Sequence, residues 1–539
     1  MGWLTILLLI PLLAMLASFL LPTANKNALR FLALGATLIQ AVAFFAFVLP
    51  QHLHTAVDEF GFATREITPW IHLNLGNLGE LDIQYHLGLD GLSLVLVMLT
   101  VIIMPIATLA SWKIEKRVKA YFALLLLLNM AMLGCFMALD FFLFYLFYEL
   151  MLLPMFFLIG MWGGARREYA AIKFFLYTLF GSVFMLLVMV GLAFSFTDPN
   201  LSALAGQPVH TFNMLYMMPD ALGNFANMVP GSLFSEMGTL MGMDARNLAF
   251  LVLLIGFAIK VPSVPLHTWL PDAHVEAPTP VSVILAAILL KVGAYGIIRI
   301  CYGMFPEAGV QYSTFVALLG LASILYGALV AMSQKDFKAL IAYSSISHMG
   351  FVLLGIASMD AAGLNGAVFQ MFNHGIISAA LFLIVGVLYA RSHDRAIANF
   401  KGLWGQMPHY TVIVLIAFFA SMGLPGLNGF VSEMLVFLGA FNANDSLIAA
   451  WIPILAVLGI VFAAVYYLRT FRKMFFGEYA YLGEGLTEPL RDLNRREYLM
   501  LVPLVLLMVL LGVFPSLVLD LMSDSVTAFS SHFVVFVNP

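Results

Sequence analysis

Four ionisable side chains stand near the middle of long apolar runs, where charge is most expensive. Glu149 lies in Phe144-Tyr-Leu-Phe-Tyr-Glu-Leu-Met-Leu-Leu-Pro154, Lys260 opens Lys260-Val-Pro-Ser-Val-Pro265, Lys291 opens Lys291-Val-Gly-Ala-Tyr-Gly, and Glu433 ends Gly423-Leu-Pro-Gly-Leu-Asn-Gly-Phe-Val-Ser-Glu433. At a membrane helix centre each costs about 2.5–3.5 kcal/mol, so the four cost on the order of 10–14 kcal/mol unless they pair or meet water. Proton carriage is chemistry that needs such residues. Burial disfavours the charged form of either type and an opposite charge restores it, so a movable partner switches a site between holding and releasing a proton. Glu149 beside Lys260 would be such a switch, with Lys291 and Glu433 as relay or exit groups. Histidines titrate near neutrality and supply links: His267 follows Lys260 by seven residues, His348 ends Tyr343-Ser-Ser-Ile-Ser-His348 among hydroxyls, and His374 ends Met371-Phe-Asn-His374. The competing readings are a purely structural Glu149–Lys260 pair, histidines that only pack, and, for Arg299 at a helix end, snorkelling to the interface.

Other signals are weaker. His52, His54 and Glu59 have metal-ligand chemistry, but three loosely spaced residues in a loop are poor evidence for a site. Asp272, His274 and Glu276 form an acidic connector without a basic residue, suited to gathering protons or docking a partner, and equally to a solvated turn. Lys113, Lys116, Arg117 and Lys119 read as a topology signal beside anionic lipid. Cys135 and Cys301 are the only cysteines, so no four-cysteine iron–sulfur or zinc site can be built from this chain alone. No glycine-rich nucleotide motif follows a strand.

The elements that position these residues are membrane helices. The chain is 62% hydrophobic and 10% charged, against roughly 25% charged in soluble domains, which excludes a soluble fold. Apolar runs long enough to cross a ~30 Å hydrocarbon core predict an all-α polytopic protein of 14 spans near 3–22, 30–50, 87–111, 120–138, 141–161, 171–195, 247–270, 277–300, 312–334, 339–358, 366–391, 410–442, 449–472 and 498–521. The first reads as a retained helix, since it lacks a basic leader and cleavage site. Alternate connections gather Lys26 and Arg30; Lys113, Lys116, Arg117 and Lys119; Arg166, Arg167 and Lys173; Lys335 and Lys338; Arg391, Arg395 and Lys401; and Arg469, Arg472, Lys473, Arg491, Arg495 and Arg496, which is 20 of the 25 basic residues. That is the positive-inside pattern, with both termini outside. The long connections 51–86 and 196–246 fall on the outer side, carry Asp58, Glu59, Glu66, Glu80, Asp82, Asp198, Asp220, Glu236 and Asp244, and show no separate soluble domain. Prolines interrupt two helices, at 260–265 and 423–429. Such breaks free backbone groups that lipid cannot satisfy, and a pair of them points to internal repeats and a transport path.

On these motifs, together with Tyr148-Glu149-Leu150 and Lys260-Val-Pro-Ser-Val-Pro-Leu-His267-Thr-Trp-Leu-Pro-Asp-Ala-His274-Val-Glu-Ala-Pro-Thr, the chain resembles the antiporter-like M-type chains of respiratory complex I, counterparts of mitochondrial NADH dehydrogenase subunit 4, over residues 85–475. The resemblance extends to the L and N chains of that enzyme and to subunits of multisubunit sodium/proton antiporters, the alternative reading. Two features favour the M type. Glu433 stands where relatives usually have lysine, and the chain ends 18 residues after its last predicted span, whereas L chains continue into a long lateral helix. The resemblance implies three N-terminal helices (1–111), two inverted five-helix repeats (112–300 and 301–475) with helices 7 and 12 broken, and a C-terminal helix with flanks (476–539). It further implies that NADH, FMN, iron–sulfur clusters and quinone belong to partner subunits, with no cofactor in this chain. Its neighbours would include L-type and N-type chains, and its place would be a bacterial plasma (inner) membrane. Proton-transfer roles then fall on Glu149 and Lys260 as switching pair, Lys291 as central carrier, His348 as link and Glu433 as terminal carrier, with His267 and His374 as further links.

Overall fold

The computed structural model describes residues 2–58, 60–76, 79–220, 222–235, 238–240, 242–443, 447–483 and 489–537. Twelve continuous helices among these are long and apolar enough to cross a membrane: α1 (Trp3–Leu20), α2 (Lys26–His54), α3 (Gly91–Lys113), α4 (Val118–Met137), α5 (Phe141–Trp162), α6 (Arg167–Ser195), α8 (Thr279–Tyr302), α9 (Ser313–Ser333), α10 (Phe337–Ala357), α11 (Ala361–Ser392), α13 (Trp451–Phe475) and α14 (Arg495–Val513). The two proline-interrupted segments are each split, α7 into α7a (Ala245–Lys260) and α7b (Trp269–Glu276), α12 into α12a (Pro408–Ser421) and α12b (Asn428–Asn442). No single piece exceeds 16 residues, about 24 Å of helix, so neither α7 nor α12 spans as one rod. This is the physical reason that continuous spans number fewer than the 14 predicted.

Local chemistry sets many helix starts. The side chains of Asp90, Asp140, Asp244, Asp336, Asp360 and Asn494 each accept a hydrogen bond from a first-turn amide, satisfying donors that a helix start leaves open. Asp90 forms a capping box with Ser93, which starts α3 at Gly91 rather than at the predicted 87. Residues up to Leu89 belong to a hairpin in the long first connection, β1 (Thr64–Asn74) antiparallel to β2 (Glu80–Leu89), and β3 (Val209–Thr211) from the second long connection adds parallel to β2. Asp140, between α4 and α5, accepts from the Gln84 and Leu143 amides and ties the hairpin to the helices. Burial pushes its carboxyl up to about 7, against those hydrogen bonds.

The basic connections share one face. Lys26 and Arg30 pair with Glu115, Trp162 Nε1 donates to the Lys116 carbonyl, and the Gly164 amide donates to that of Glu276. Arg395 pairs with Asp336 and donates to the Val275 carbonyl, and Arg391 pairs with Glu497. These contacts join alternate connections in sequence order. At the opposite, hairpin-bearing end Arg299 meets Asp90 at 2.5 Å while almost fully buried. It is therefore a buried ion pair and not a snorkelling side chain. Two other boundaries differ from the predicted ones: the last span stops at Val513, and past Pro515 a further helix, α15 (Ser516–Val537), lies against that end through Ser525 on Gly91 and Phe533 on Tyr302. Asp520 and Asp524 lower the hydropathy of α15 and hid it.

Burial sorts the helices. The most apolar window of α8 is wholly buried and those of α10 and α11 are 94% buried, whereas α1 is 33% buried. The predicted site residues Lys291, His348 and His374 sit on these central helices.

Candidate functional site

Lys291 is fully buried on α8, just after a π-helical turn at Leu285–Leu289. Such turns recur at functional sites because they displace the regular backbone pairing. Lys291 Nζ contacts the Ala286 carbonyl at 2.6 Å and His374 Nδ1 of α11 at 2.7 Å. The His374 ring lies 5.7 Å, centroid to centroid, from that of His348 on α10. His348 Nδ1 is 3.3 Å from Glu433 Oε1 of α12b, and its Nε2 is 3.0 Å from Ser421 Oγ at the end of α12a. From there a chain of hydroxyls runs on, Ser421 Oγ donating to Tyr467 at 2.8 Å and Tyr467 to Ser344 at 3.1 Å. A cavity of about 10 Å³ between His348, Gln370, His374, Ser421 and Glu433 is close to the smallest that holds one water, roughly 10–15 Å³. Four predicted carriers thus form one file across four helices.

The break in α12 is what admits Glu433 to this file. Asn428 and Ser432, at the start of α12b, bond with Asn373 and Gln370 of α11: Asn428 Nδ2 donates to Asn373 Oδ1 at 3.0 Å, Asn373 Nδ2 to the Asn428 carbonyl at 2.9 Å, and Ser432 to Gln370 at 2.5 Å. Backbone groups exposed by the interruption are met by side-chain amides rather than lipid.

Lys260 and Glu149 form a second cluster. Lys260 is the last residue of α7a, 1% exposed, with Nζ 3.6 Å from the centroid of the Tyr148 ring and no hydrogen-bond partner. Glu149 follows Tyr148 on α5, and its buried Oε1 is also without a partner. No ion pair within 4 Å joins the two among the described residues, so the predicted pair stands open, its cation held by the ring face instead. Gly293 brings Lys291's helix against this cluster: a Cβ there would meet the Val261 nitrogen at 2.9 Å and the Phe257 carbonyl at 3.0 Å. Only glycine allows α8 to pass so close to the end of α7a.

His267, in the break of α7, is buried but faces Tyr326 of α9, with ring centroids at 5.0 Å, and Tyr343 of α10 at 6.4 Å. These contacts place it beside the file and not in it. The 272–276 connector is not a solvated turn: α7b is a helix in which His274 is fully buried, stacked on Phe382 at 4.4 Å, with neither ring nitrogen partnered. Its acids meet cations of α6 and the residue before it, Asp272 pairing with Lys173 at 2.7 Å and Glu276 with Arg166 at 3.7 Å, whose amide it also accepts from at 2.9 Å. Lys338, read as a topology residue, is 4% exposed and donates to the Ala277 carbonyl at 2.5 Å. His274 and Lys338 are thus ionisable groups near the basic face whose burial the sequence reading of a connector and a topology residue did not include. The available signal was His274's place seven residues after His267. Of the loosely spaced metal candidates, Glu59 lies outside the described residues, as does Glu236 of the second long connection. Among the described residues no three His, Cys, Asp or Glu side chains gather as a metal site.

Residues 138–459 match the family described as NADH:quinone oxidoreductase/Mrp antiporter, membrane region. The chain is 42% identical to NADH-quinone oxidoreductase subunit M of Rhodobacter capsulatus over 94% of its own length and 91% of the relative's. It superposes on a chain of respiratory complex I from Thermus thermophilus with bound NADH, with a TM-score of 0.79 and 30% identity, covering 98% of this chain and 99% of that one. A chain of the Mrp complex from Dietzia sp. shares the fold at a TM-score of 0.76 and 20% identity, each chain covered in full.

Proposed function

Because the chain belongs to the NADH:quinone oxidoreductase/Mrp antiporter membrane family, we propose that it is the M-type proton-translocating membrane subunit of an NADH-quinone oxidoreductase. In this reading Lys291, His374, His348 and Glu433 hand a proton along the file, and Glu149 with Lys260 sets when Lys291 loads. The carrying observation is the contiguity of four ionisable side chains on four different helices, each almost fully buried. Charges placed there without a task would be purged by their insertion cost. The open Glu149–Lys260 pair fits a switch, since a partner that can approach and withdraw changes which state of the lysine is favoured. Electron transfer from NADH to quinone, with FMN and iron–sulfur clusters, belongs to partner subunits, and L-type and N-type chains flank this one in a bacterial inner membrane with both termini on the outer side. Helices α4–α8 and α9–α13 are the two inverted repeats, residues 112–300 and 301–475, between the N-terminal helices of 1–111 and the C-terminal part 476–539.

A subunit of a gradient-driven sodium/proton antiporter is the second reading, favoured by the fold shared with the Mrp chain. Glu433 argues against it. Mild-detergent purification of the tagged chain from its own membranes separates the two. Flavin, iron–sulfur absorbance and NADH-quinone reductase activity travelling with the chain support the oxidoreductase, whereas arrival with antiporter subunits and no redox centres refutes it.

A further inference from the structure

On the basic face, where the ends of α9 and α13 pack together, Gln334, Lys335, Tyr466, Arg469, Thr470 and Lys473 line an open cavity of about 180 Å³. Three of the nine lining residues are cations, and none of the three takes part in an ion pair among the described residues. The acid next to Lys335 is committed elsewhere: Asp336 caps α10 through the Lys338 and Ala339 amides and pairs with Arg395 at 3.2 Å. At the floor, Tyr466 is 1% exposed, and its hydroxyl is turned inward beside those of Tyr467 and Ser344. The site therefore presents three cations to one small volume, with no protein anion paired to them among the described residues.

Toward the membrane core the same two helices turn apolar. Leu329 stands one turn before Ser333 on α9, and Val465 one turn before Arg469 on α13, so each shares a face with a cavity residue. Both are more than 40% exposed, as are Tyr326, Val461 and Leu468 nearby. Polar cavity and apolar strip together have the two-part chemistry of a phospholipid.

We propose that this cavity seats the phosphate of an anionic phospholipid from the leaflet on the basic face, with the acyl chains lying along α9 and α13. Charge complementarity selects an anionic headgroup over a zwitterionic one, and the apolar strip selects a lipid over a soluble phosphate. Lys335, Arg469 and Lys473 surround the phosphate, and the buried Tyr466 ring closes the floor beneath it. The proposal does not depend on the direction or the driving force of proton transport.

The test titrates spin-labelled phosphatidylglycerol into the chain, purified with its accompanying subunits and held in phosphatidylcholine vesicles, and compares the native protein with the triple variant Lys335→Gln, Arg469→Gln, Lys473→Gln. These side chains are exposed, so folding is retained, and unchanged sedimentation of the assembly checks it. Each charge near an anionic surface contributes about fivefold to binding, so the triple variant should lose on the order of 100-fold in the immobilised fraction's affinity. Phosphatidylcholine carrying the same label should show no such difference, and inorganic phosphate should not displace the lipid. Equal retention of phosphatidylglycerol by native and variant protein overturns the proposal, as does displacement by inorganic phosphate, which would mark a soluble-anion site.

Discussion

Replacing His374 by leucine removes the single side chain that joins Lys291 to the rest of the file. In the native protein Lys291 Nζ has two close partners, the Ala286 carbonyl at 2.6 Å and His374 Nδ1 at 2.7 Å. A hydrogen bond to a charged group contributes about 1.5–3 kcal/mol, so losing one changes the occupancy of the charged lysine about 10- to 150-fold. Distance acts in the same direction. His348, whose ring centroid is 5.7 Å beyond that of His374, becomes the next carrier with an apolar side chain between. NADH-driven proton uptake by vesicles containing the purified assembly should fall at least about tenfold, while NADH–ferricyanide reduction, which needs no membrane relay, should be retained. His374→Gln, with an amide oxygen able to accept from Lys291, should lie between the two. Native proton uptake in His374→Leu would refute the file as the route, because no other described side chain bonds Lys291 Nζ to its neighbours.

Glu149→Asp, with a shorter reach toward Lys260, should impair pumping less than Glu149→Ala in the same vesicle assay, and equal loss would exclude a distance-sensitive pair. Gly293→Ala forces a methyl to within 3.0 Å of the Phe257 carbonyl and the Val261 nitrogen; overpacking of this kind costs about 1–3 kcal/mol, read as a lowered thermal midpoint together with slower pumping. Arg299→Leu leaves Asp90 buried without its cation, a loss of about 3–5 kcal/mol, and thermal unfolding should show Asp90→Asn partly restoring the double variant.

Much of this site is legible in the sequence, because membrane burial makes charge conspicuous. Glu149, Lys260, Lys291 and Glu433 stood out against apolar surroundings, and prolines and glycines marked both broken helices. What stayed hidden shared a cause. Strands β1 and β2 and helix α15 interleave charged and polar residues with apolar ones, so hydropathy passed over them. Lys338 and His274 sit at helix ends among charged neighbours, where sequence alone cannot distinguish a solvated side chain from one folded inward onto the Ala277 carbonyl or the Phe382 ring. Arg299 was misjudged because its partner, Asp90, is more than 200 residues away in sequence, and the state of the Glu149–Lys260 pair depends on rotamers that composition does not encode.

The most direct test of proton carriage by buried residues is the proton-to-electron ratio of the assembly carrying Lys260→Ala. Its side chain makes no hydrogen bond or ion pair and packs on Tyr148, so the variant should fold, assemble and reduce ferricyanide with NADH while coupled pumping through this chain is abolished. A ratio close to that of the native assembly would contradict it.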